Sequence, residues 1–224
     1  MTTSSPHHDL RSAVAAAARG LAAHGLLIGT AGNVSARRGD VVAVTATGAV
    51  LAEATAREVT VVSMDGDLIE GDLAPTSKLA LLLGVLRAAS PDRVAAVVHT
   101  HAPYATALSL VLDELPVIHY QQLLLGGALR VAPFHAFGTT ALAGAVGTAL
   151  EGRLAALMAN HGAVALGSTL AGAVENALLV EWLSELYLRA RTAGIPRALD
   201  AEQQHDVIAS AERLGYGATK PVHA

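Results

Sequence analysis

Apolar residues along the chain gather into short runs and longer segments that alternate with one another. The short runs, such as 94–98, are bounded by turn signals and predict strands. The longer segments are rich in Ala and Leu and predict helices, the first with Asp9 as its N-cap and Gly25 as its stop. Helices are predicted over 9–24, 77–89, 103–112, 139–150 and 170–193, and strands over 41–46, 59–63, 67–70, 94–98, 129–132, 155–159 and 163–166. This alternation favours a layered α/β domain.

Turns and chain ends complete the outline. Asp65-Gly66 predicts a hairpin turn, and the segment 29–35 is interpreted as a glycine-bearing turn. Residues 1–8 are polar and are expected to be flexible. No stretch resembles an interdomain linker, and 224 residues suffice for one large core. We therefore expect a single domain over 9–224.

Composition excludes several function classes. The net charge is -4 with 15% charged residues, which argues against a nucleic-acid surface or a polybasic membrane patch. The hydrophobic fraction is 52%, but Gly, Pro or a charge interrupts each run before the roughly 18 residues that a membrane span needs. No export signal is expected at the start of the chain. The absence of cysteine excludes disulfides and is compatible with the cytoplasm, so we expect a cytoplasmic protein.

Three histidines are the first candidates for chemistry. His99 and His101 end an apolar run, and residues two apart on a strand point to the same face. His161 lies between two further predicted strands, in Asn160-His161-Gly162. Three neutral imidazoles with a fourth position open are typical of a catalytic zinc site. Zn²⁺ is the expected ion, and Fe²⁺, Mn²⁺ and Co²⁺ remain open.

Six short motifs follow one another along the chain. They are Gly29-Thr30-Ala31-Gly32-Asn33-Val34-Ser35, Thr45-Ala46-Thr47-Gly48, Pro75-Thr76-Ser77, Val97-Val98-His99-Thr100-His101, Ile118-His119-Tyr120 and Asn160-His161-Gly162. Together they resemble the class II aldolase/adducin family over roughly residues 10 to 218. The resemblance implies a three-layer α/β/α domain with a central, mostly antiparallel sheet. It also implies a homotetramer with active sites at the subunit interfaces.

The resemblance assigns roles to residues of three kinds. It makes His99, His101 and His161 the metal ligands. It makes the following residues the cradle for the substrate phosphate: Thr30, Gly32, Asn33, Thr47, Gly48, Thr76 and Ser77. Glycines let backbone N–H groups approach an anion closely, and small hydroxyl and amide side chains add hydrogen-bond donors. Tyr120 and Tyr216 match tyrosines that a neighbouring subunit places near the substrate, where a phenol can protonate an alkoxide or hold an aldehyde oxygen.

Lys78 is the departure from the family pattern. After the hydroxyl pair the aldolases carry a glutamate that approaches the metal and moves the substrate proton, and here Lys78 stands in that place. A unit positive charge about 6 Å from a dication is repelled by roughly 5 kcal/mol at an effective dielectric near 20. Lys78 must therefore turn away, lose its proton or be balanced by an anionic ligand. As a neutral amine it could act as a general base, and as an ammonium it could bind a substrate carboxylate or phosphate.

The expected function is that of a metal-dependent lyase. The resemblance implies that it cleaves or forms a C–C bond in a small phosphorylated ketose through a metal-stabilised enediolate. Two alternatives stay open. A decarboxylase of a phosphorylated oxo-acid also reaches an enediolate without such a base, which suits Lys78. An adducin-like binding module would keep the fold but would not need the three histidines, all of which are present.

Overall fold

The structure is a computed structural model that describes residues 5–216, so residues 1–4 of the predicted flexible segment and residues 217–224 lie outside it. Its helices are α1 (His8–Ala23), α2 (Leu79–Ala88), α3 (Pro103–Ser109), α4 (Thr140–Ala149), α5 (Leu170–Ala193) and α6 (Ala201–Leu214). Its strands are β1 (Asn33–Arg38), β2 (Val41–Thr45), β3 (Val59–Ser63), β4 (Leu68–Glu70), β5 (Ala96–Thr100), β6 (Glu114–Leu115), β7 (Leu129–Ala132), β8 (Ala155–Met158) and β9 (Gly162–Gly167). Short 3-10 helices occupy Leu51–Glu53, Ala56–Glu58 and Tyr120–Leu125.

The strands form one sheet in the order β4-β3-β2-β1-β5-β9-β8-β7-β6. Neighbouring strands are antiparallel except β7 and β8, which run parallel. Strand β5 lies in the middle, between β1 and β9. The segment that ends in His99 and His101 is therefore held by hydrogen bonds on both sides.

Helices cover both faces of this sheet. One core packs the sheet against α1, α3 and α5, and the other packs it against α2 and α4. Adjacent residues of a strand alternate between the two cores, so that Val98 belongs to the first and Val97 to the second. The predicted three-layer α/β/α domain with a mostly antiparallel sheet is confirmed. No helix within residues 5–216 is long and apolar enough to cross a membrane.

Strand β1 corrects the sequence analysis. The second half of the predicted turn 29–35 begins a strand that pairs with both β2 and β5. Polar residues in it hid the strand pattern, yet Asn33 and Ser35 are buried. The Ser35 hydroxyl satisfies its hydrogen bonding by donating to the Val97 carbonyl oxygen at 3.2 Å. Pairing with two neighbours decides the conformation here, and local propensity does not.

The start of α1 also differs from the prediction. The helix begins at His8, His7 occupies the N-cap position without a side-chain hydrogen bond, and Asp9 lies in the first turn. The prediction of Asp9 as the N-cap is therefore wrong, although an acidic side chain in the first turn still interacts favourably with the helix dipole. The Ser5 hydroxyl donates to Glu70 on β4.

Helix α6 was not predicted at all. It has no buried residue, although Val207, Ala211 and Leu214 recur at the spacing of an apolar helix face. A capping box starts it, since the Asp200 carboxylate accepts from the Gln203 amide at 2.9 Å while the Gln203 side chain accepts from the Asp200 amide at 3.0 Å. The apolar spacing and the capping box were the signals in the sequence that could have found the helix.

Candidate active site

The histidine triad, defined as His99, His101 and His161, forms at the end of the two central strands β5 and β9. His99 lies within β5, because the strand covers two residues more at this end than the predicted 94–98. His101 follows it directly. His161 lies in the tight turn between β8 and β9, where Asn160 adopts a left-handed conformation with φ 57°.

Gly162 shows why this turn can lie so close to β5. A Cβ atom at this position would overlap the carbonyl oxygen of Thr100 on the neighbouring strand. Only glycine lets the turn approach at this distance. The close approach brings His161 over the end of β5 and next to the other two rings.

The three rings converge on one point. His99 Nε2 and His101 Nε2 lie 3.1 Å apart, and one ligand nitrogen from each ring lies within 4.8 Å of the other two. The ring centroids are separated by 4.8, 4.9 and 5.1 Å. A tetrahedral ion with Zn–N bonds of about 2.0–2.1 Å would hold its ligand nitrogens about 3.3 Å apart. The donor set and its spacing therefore fit a metal ion.

The protonation state of the triad also fits a metal ion. His99 is fully buried, and its Nδ1 donates to the Ala163 carbonyl oxygen at 3.0 Å, which leaves Nε2 as the lone-pair nitrogen facing the other rings. Burial lowers the pKa of His99 well below its usual value and the pKa of His161 to about 4. Burial lowers the pKa of His101 as well. Neutral imidazoles are the form that a metal binds.

Lys78 lies beside the triad, as its place in the sequence predicted. It occupies the N-cap position of α2, is half-buried, and its charge contributes to the lowered pKa of all three histidines. Burial in turn lowers the pKa of Lys78. Its Nζ lies 5.7 Å from the ring centroid of Phe137, within the range of a cation–π contact. Within residues 5–216, the cluster of ligand atoms at the triad includes no carboxylate.

The residues expected to bind phosphate lie on three loops, two of which are joined directly. The Thr47 amide donates to the Ala74 carbonyl oxygen at 2.9 Å, and Ala46 forms a β-bridge with Pro75. This bridge brings the Thr47-Gly48 turn alongside the Thr76-Ser77 segment. The loop before β1 joins the second loop through Gly29, whose carbonyl oxygen accepts from the Leu51 amide at 3.2 Å. Thr76 is buried, whereas the structure exposes Thr30, Thr47, Gly48 and Ser77.

Asn33 connects this group of loops to the triad. It pairs with His99 across the β1–β5 ladder and is 1% exposed, yet neither Oδ1 nor Nδ2 of its side chain has a hydrogen-bond partner. Gly32, at φ 97°, lies so close to β5 that a Cβ atom would approach the His99 carbonyl oxygen to 2.8 Å. A buried amide without a partner is costly unless a ligand satisfies it. The unpaired Asn33 amide therefore offers hydrogen-bonding groups to a polar ligand beside the triad.

The two candidate tyrosines lie together and contact each other. The hydroxyls of Tyr120 and Tyr216 are 3.0 Å apart and both side chains are exposed. Tyr120 stacks on His119 with ring centroids 4.6 Å apart, and His119 meets Trp182 edge-on at 4.9 Å. In the part of the chain from 5 to 216, neither tyrosine has a hydrogen bond or ring contact with the triad. The structure thus joins the tyrosines to each other and does not join them to the histidines of the same chain.

Sequence reasoning missed Phe137 and Glu181. Phe137 covers Lys78 from the loop between β7 and α4, and its local sequence does not indicate a contact with a residue so far away in the chain. Glu181 on α5 accepts from the amides of Tyr104 and Ala105 at 2.9 and 2.8 Å, and so holds the start of α3 just after His101. Burial raises the pKa of the Glu181 carboxyl. A partner 76 residues away in the chain cannot be found from local sequence.

Comparison with known proteins identifies this arrangement. The family model described as the Class II Aldolase and Adducin N-terminal domain matches residues 12–188. The chain belongs to the class II aldolase and adducin family. The resemblance expected from the six motifs is confirmed.

Individual class II aldolases match over nearly the whole chain. The 5-methylthioribulose-1-phosphate/5-deoxyribulose-1-phosphate aldolase of Rhodospirillum rubrum is 36% identical over 213 residues, which are 95% of this chain and 95% of the relative. The L-fuculose phosphate aldolase of Escherichia coli K12 is 37% identical over 181 residues, which are 80% of this chain and 83% of the relative. A solved structure of L-fuculose 1-phosphate aldolase superposes with a TM-score of 0.86 at 28% identity, covering 95% of this chain and 100% of that one.

These matches decide between the function classes that the sequence left open. The curated relatives are aldolases, so the protein is an enzyme, a lyase of the class II aldolase type. Neither an adducin-like binding module nor a decarboxylase is needed to explain the site. Its histidine triad is a group that could hold the metal ion on which this class of aldolase depends.

Proposed function

We propose that the enzyme cleaves, and in the reverse direction forms, the C3–C4 bond of a small 1-phosphorylated ketose. The observation that carries this proposal is the convergence of three neutral imidazoles within 4.8 Å beside the unpartnered Asn33 amide. The preferred substrates are 5-methylthioribulose 1-phosphate and 5-deoxyribulose 1-phosphate. The match to the aldolase named for them spans 95% of the chain, compared with 80% for the L-fuculose phosphate aldolase.

Zn²⁺ is the ion that we propose for the triad of His99, His101 and His161. Three imidazole nitrogens suit Zn²⁺ best, and Fe²⁺, Mn²⁺ or Co²⁺ could replace it in the same ligand set. When bound, such an ion acts as a Lewis acid that withdraws electron density from the substrate oxygens. The Ala163 carbonyl oxygen holds His99 in the tautomer that presents Nε2.

Lys78 is the basic residue that we propose for the reacting end of the substrate. Cleavage requires that the hydroxyl proton on C4 be removed while the C3–C4 electron pair moves toward C2, and a neutral Lys78 amine could accept that proton and return it to C3, which completes dihydroxyacetone phosphate and restores the neutral amine. As an ammonium, Lys78 would instead balance the negative charge of the substrate. Its position beside the triad is compatible with both roles, and the lowering of its pKa by burial favours the neutral amine.

The three adjoining loops are the proposed cradle for the phosphate. Backbone amides at the glycines and small polar side chains offer donors without bulk. Asn33 contributes an amide that has no other partner. The proposed phosphate-binding residues are Thr30, Gly32, Asn33, Thr47, Gly48, Thr76 and Ser77.

Tyr120 and Tyr216 are the proposed hydrogen-bond donors to the aldehyde side. A phenol can hold the aldehyde oxygen by a hydrogen bond while Lys78 carries the proton of the C4 hydroxyl. Because the pair has no hydrogen bond or ring contact with the triad of its own chain within residues 5–216, we propose that it serves the triad of a neighbouring subunit in a homotetramer. Its exposure, 41% for Tyr120 and 54% for Tyr216, leaves it accessible to a second chain.

The test is a direct assay for cleavage. Zinc-loaded enzyme is incubated with 5-methylthioribulose 1-phosphate, 5-deoxyribulose 1-phosphate and L-fuculose 1-phosphate, and dihydroxyacetone phosphate is measured by its coupled reduction. We expect release from all three, with the highest kcat/KM for the 5-substituted ribulose phosphates. The unphosphorylated sugars, followed by their aldehyde product, should not be cleaved. An enzyme that retains its zinc but releases no dihydroxyacetone phosphate from any of them would contradict the proposal.

A further inference from the structure

Gln122 is buried in the 3-10 helix that begins at Tyr120. The side chain is 0% exposed, and its amide satisfies three backbone groups of the preceding segment. Its Nε2 donates to the carbonyl oxygens of Leu115 and Pro116 at 3.1 and 3.0 Å, and its Oε1 accepts from the Ile118 amide at 3.2 Å. The segment 115–118 leads directly into His119 and Tyr120. One side chain thus ties down the backbone that carries the first tyrosine.

The same segment is connected to the second tyrosine. The Leu199 amide donates to the Val117 carbonyl oxygen at 2.7 Å, and the Gln204 side chain donates to the Leu199 carbonyl oxygen at 2.7 Å. Leu199 immediately precedes α6, and Tyr216 follows the end of that helix. A continuous set of hydrogen bonds therefore runs from Gln122 to the base of the helix that brings up Tyr216.

Side-chain contacts hold the tyrosines on one side only. Tyr120 contacts the His119 ring, with centroids 4.6 Å apart, but both phenols are exposed and α6 has no buried residue in the described part of the chain. The 3.0 Å approach of the two hydroxyls therefore depends largely on the backbone that carries them. The placement of the two hydroxyls depends on the backbone beneath them, and Gln122 is the fully buried polar side chain that organises this backbone.

We propose that Gln122 is a positioning residue for catalysis, which sets the orientation of the Tyr120–Tyr216 pair. This inference rests on the role proposed above for the two tyrosines. The chemistry of the amide is specific to the task, because it supplies two N–H donors and one acceptor from one group. A glutamate would turn an acceptor toward two carbonyl oxygens, and a methionine of similar length would leave all three backbone groups unpaired.

The test combines Gln122→Met with Tyr120→Phe. We expect Gln122→Met to lower kcat about tenfold while the zinc content stays at the wild-type level. In the Tyr120→Phe variant, adding Gln122→Met should lower kcat by less than a further factor of two, because the hydroxyl that Gln122 positions is already absent. Gln121→Met is the matched control, since in residues 5–216 the Gln121 side chain has no hydrogen bond, and its kcat should stay within twofold of wild type.

A second variant covers the case in which Gln122→Met does not fold. Gln204→Met removes the hydrogen bond from the surface helix α6 to the Leu199 carbonyl oxygen. We expect this substitution to lower kcat about threefold in the wild-type enzyme and to leave kcat of the Tyr120→Phe variant unchanged. Wild-type kcat in Gln122→Met or, where it fails to fold, in Gln204→Met overturns the inference. So does a double variant whose loss is the product of the two single losses. If Tyr120→Phe itself keeps wild-type kcat, the role proposed for the tyrosine fails first, and the inference fails with it.

Discussion

The histidine triad and the tyrosine pair differ in how the fold holds them. The triad lies at the centre of the sheet, where β5 is paired on both sides and His99 is fully buried. The tyrosine pair lies on a 3-10 helix and just past a surface helix, and both phenols are exposed. Strand pairing and burial hold the histidine triad rigidly, whereas the position of the tyrosine pair depends on a few backbone hydrogen bonds.

This difference separates the tasks that the two regions can perform. A metal site needs ligands fixed to within tenths of an ångström, which paired strands supply. Hydrogen-bond donors to the aldehyde side must meet substrates of different shape, and exposed tyrosines on less constrained backbone can adapt. Variants of the triad should therefore affect every substrate alike, whereas variants of the tyrosine pair should discriminate between substrates.

The largest effect should come from the triad. We expect His101→Ala to lower kcat at least about a thousandfold with every substrate, because Lewis-acid stabilisation is worth several kcal/mol and the variant should lose its ion. Zinc content and kcat of the purified variant check this. His24→Ala, at an exposed histidine after α1, is the control and should keep both. Equal losses of zinc and of kcat in His101→Ala and His24→Ala would contradict the assignment of the triad as the metal site.

Lys78 tests the part of the site that departs from the family. Lys78→Ala should lower kcat about a hundredfold and leave the zinc content unchanged, because a positioned proton-transfer group contributes on that scale. Arg87→Ala, at the last turn of the same helix, is the control. Arginine keeps the charge but does not give up its proton, so an inactive Lys78→Arg indicates proton transfer and an active one indicates charge balance. Activity of Lys78→Ala within threefold of wild type would exclude both roles.

The tyrosine pair should show a smaller and non-additive effect. Tyr120→Phe and Tyr216→Phe are each expected to lower kcat about tenfold, and the double variant should lose little more, because the hydroxyls are hydrogen-bonded to one another and act as a unit. Tyr187→Phe, which packs against the core away from the pair, is the control. A loss that multiplies in the double variant would show two independent groups.

Acid should weaken the triad region through protonation, and this is the smallest effect. In the metal-free protein burial lowers the pKa of His161 to about 4 from its ordinary value of 6.5, so the unfolded chain binds more protons between these two pH values. The His161 contribution to stability is therefore present above about pH 6.5 and is lost as the pH falls toward 4. Tm of the EDTA-treated protein should fall between pH 7 and pH 4.5, and less so in His161→Gln. An equal fall in both would contradict this contribution.

The sequence predicted those features that depend on short-range geometry. His99 and His101 share a strand face because of the two-residue period, and His161 follows from a short turn between strands. The helix 170–193 agrees with α5 throughout its length. The layered architecture followed from the alternation of helices and strands.

Features that depend on distant partners were missed. Strand β1 carries polar residues that only its two neighbours explain, and α6 has no buried residue that would tie it to the core. The contact between Tyr120 and Tyr216 joins residues 96 apart in the chain, and the family resemblance indicated a role for each without indicating that they meet. The contact of Lys78 with Phe137 is of the same kind.

The central claim is that three imidazoles bind one catalytic ion. X-ray absorption spectroscopy on dialysed, zinc-loaded enzyme, combined with metal analysis, tests it most directly. We predict one zinc per chain, with three imidazole nitrogens at about 2.0–2.1 Å and a light-atom ligand in the remaining position. A protein that retains no zinc, or that binds it without histidine ligands, would contradict the account.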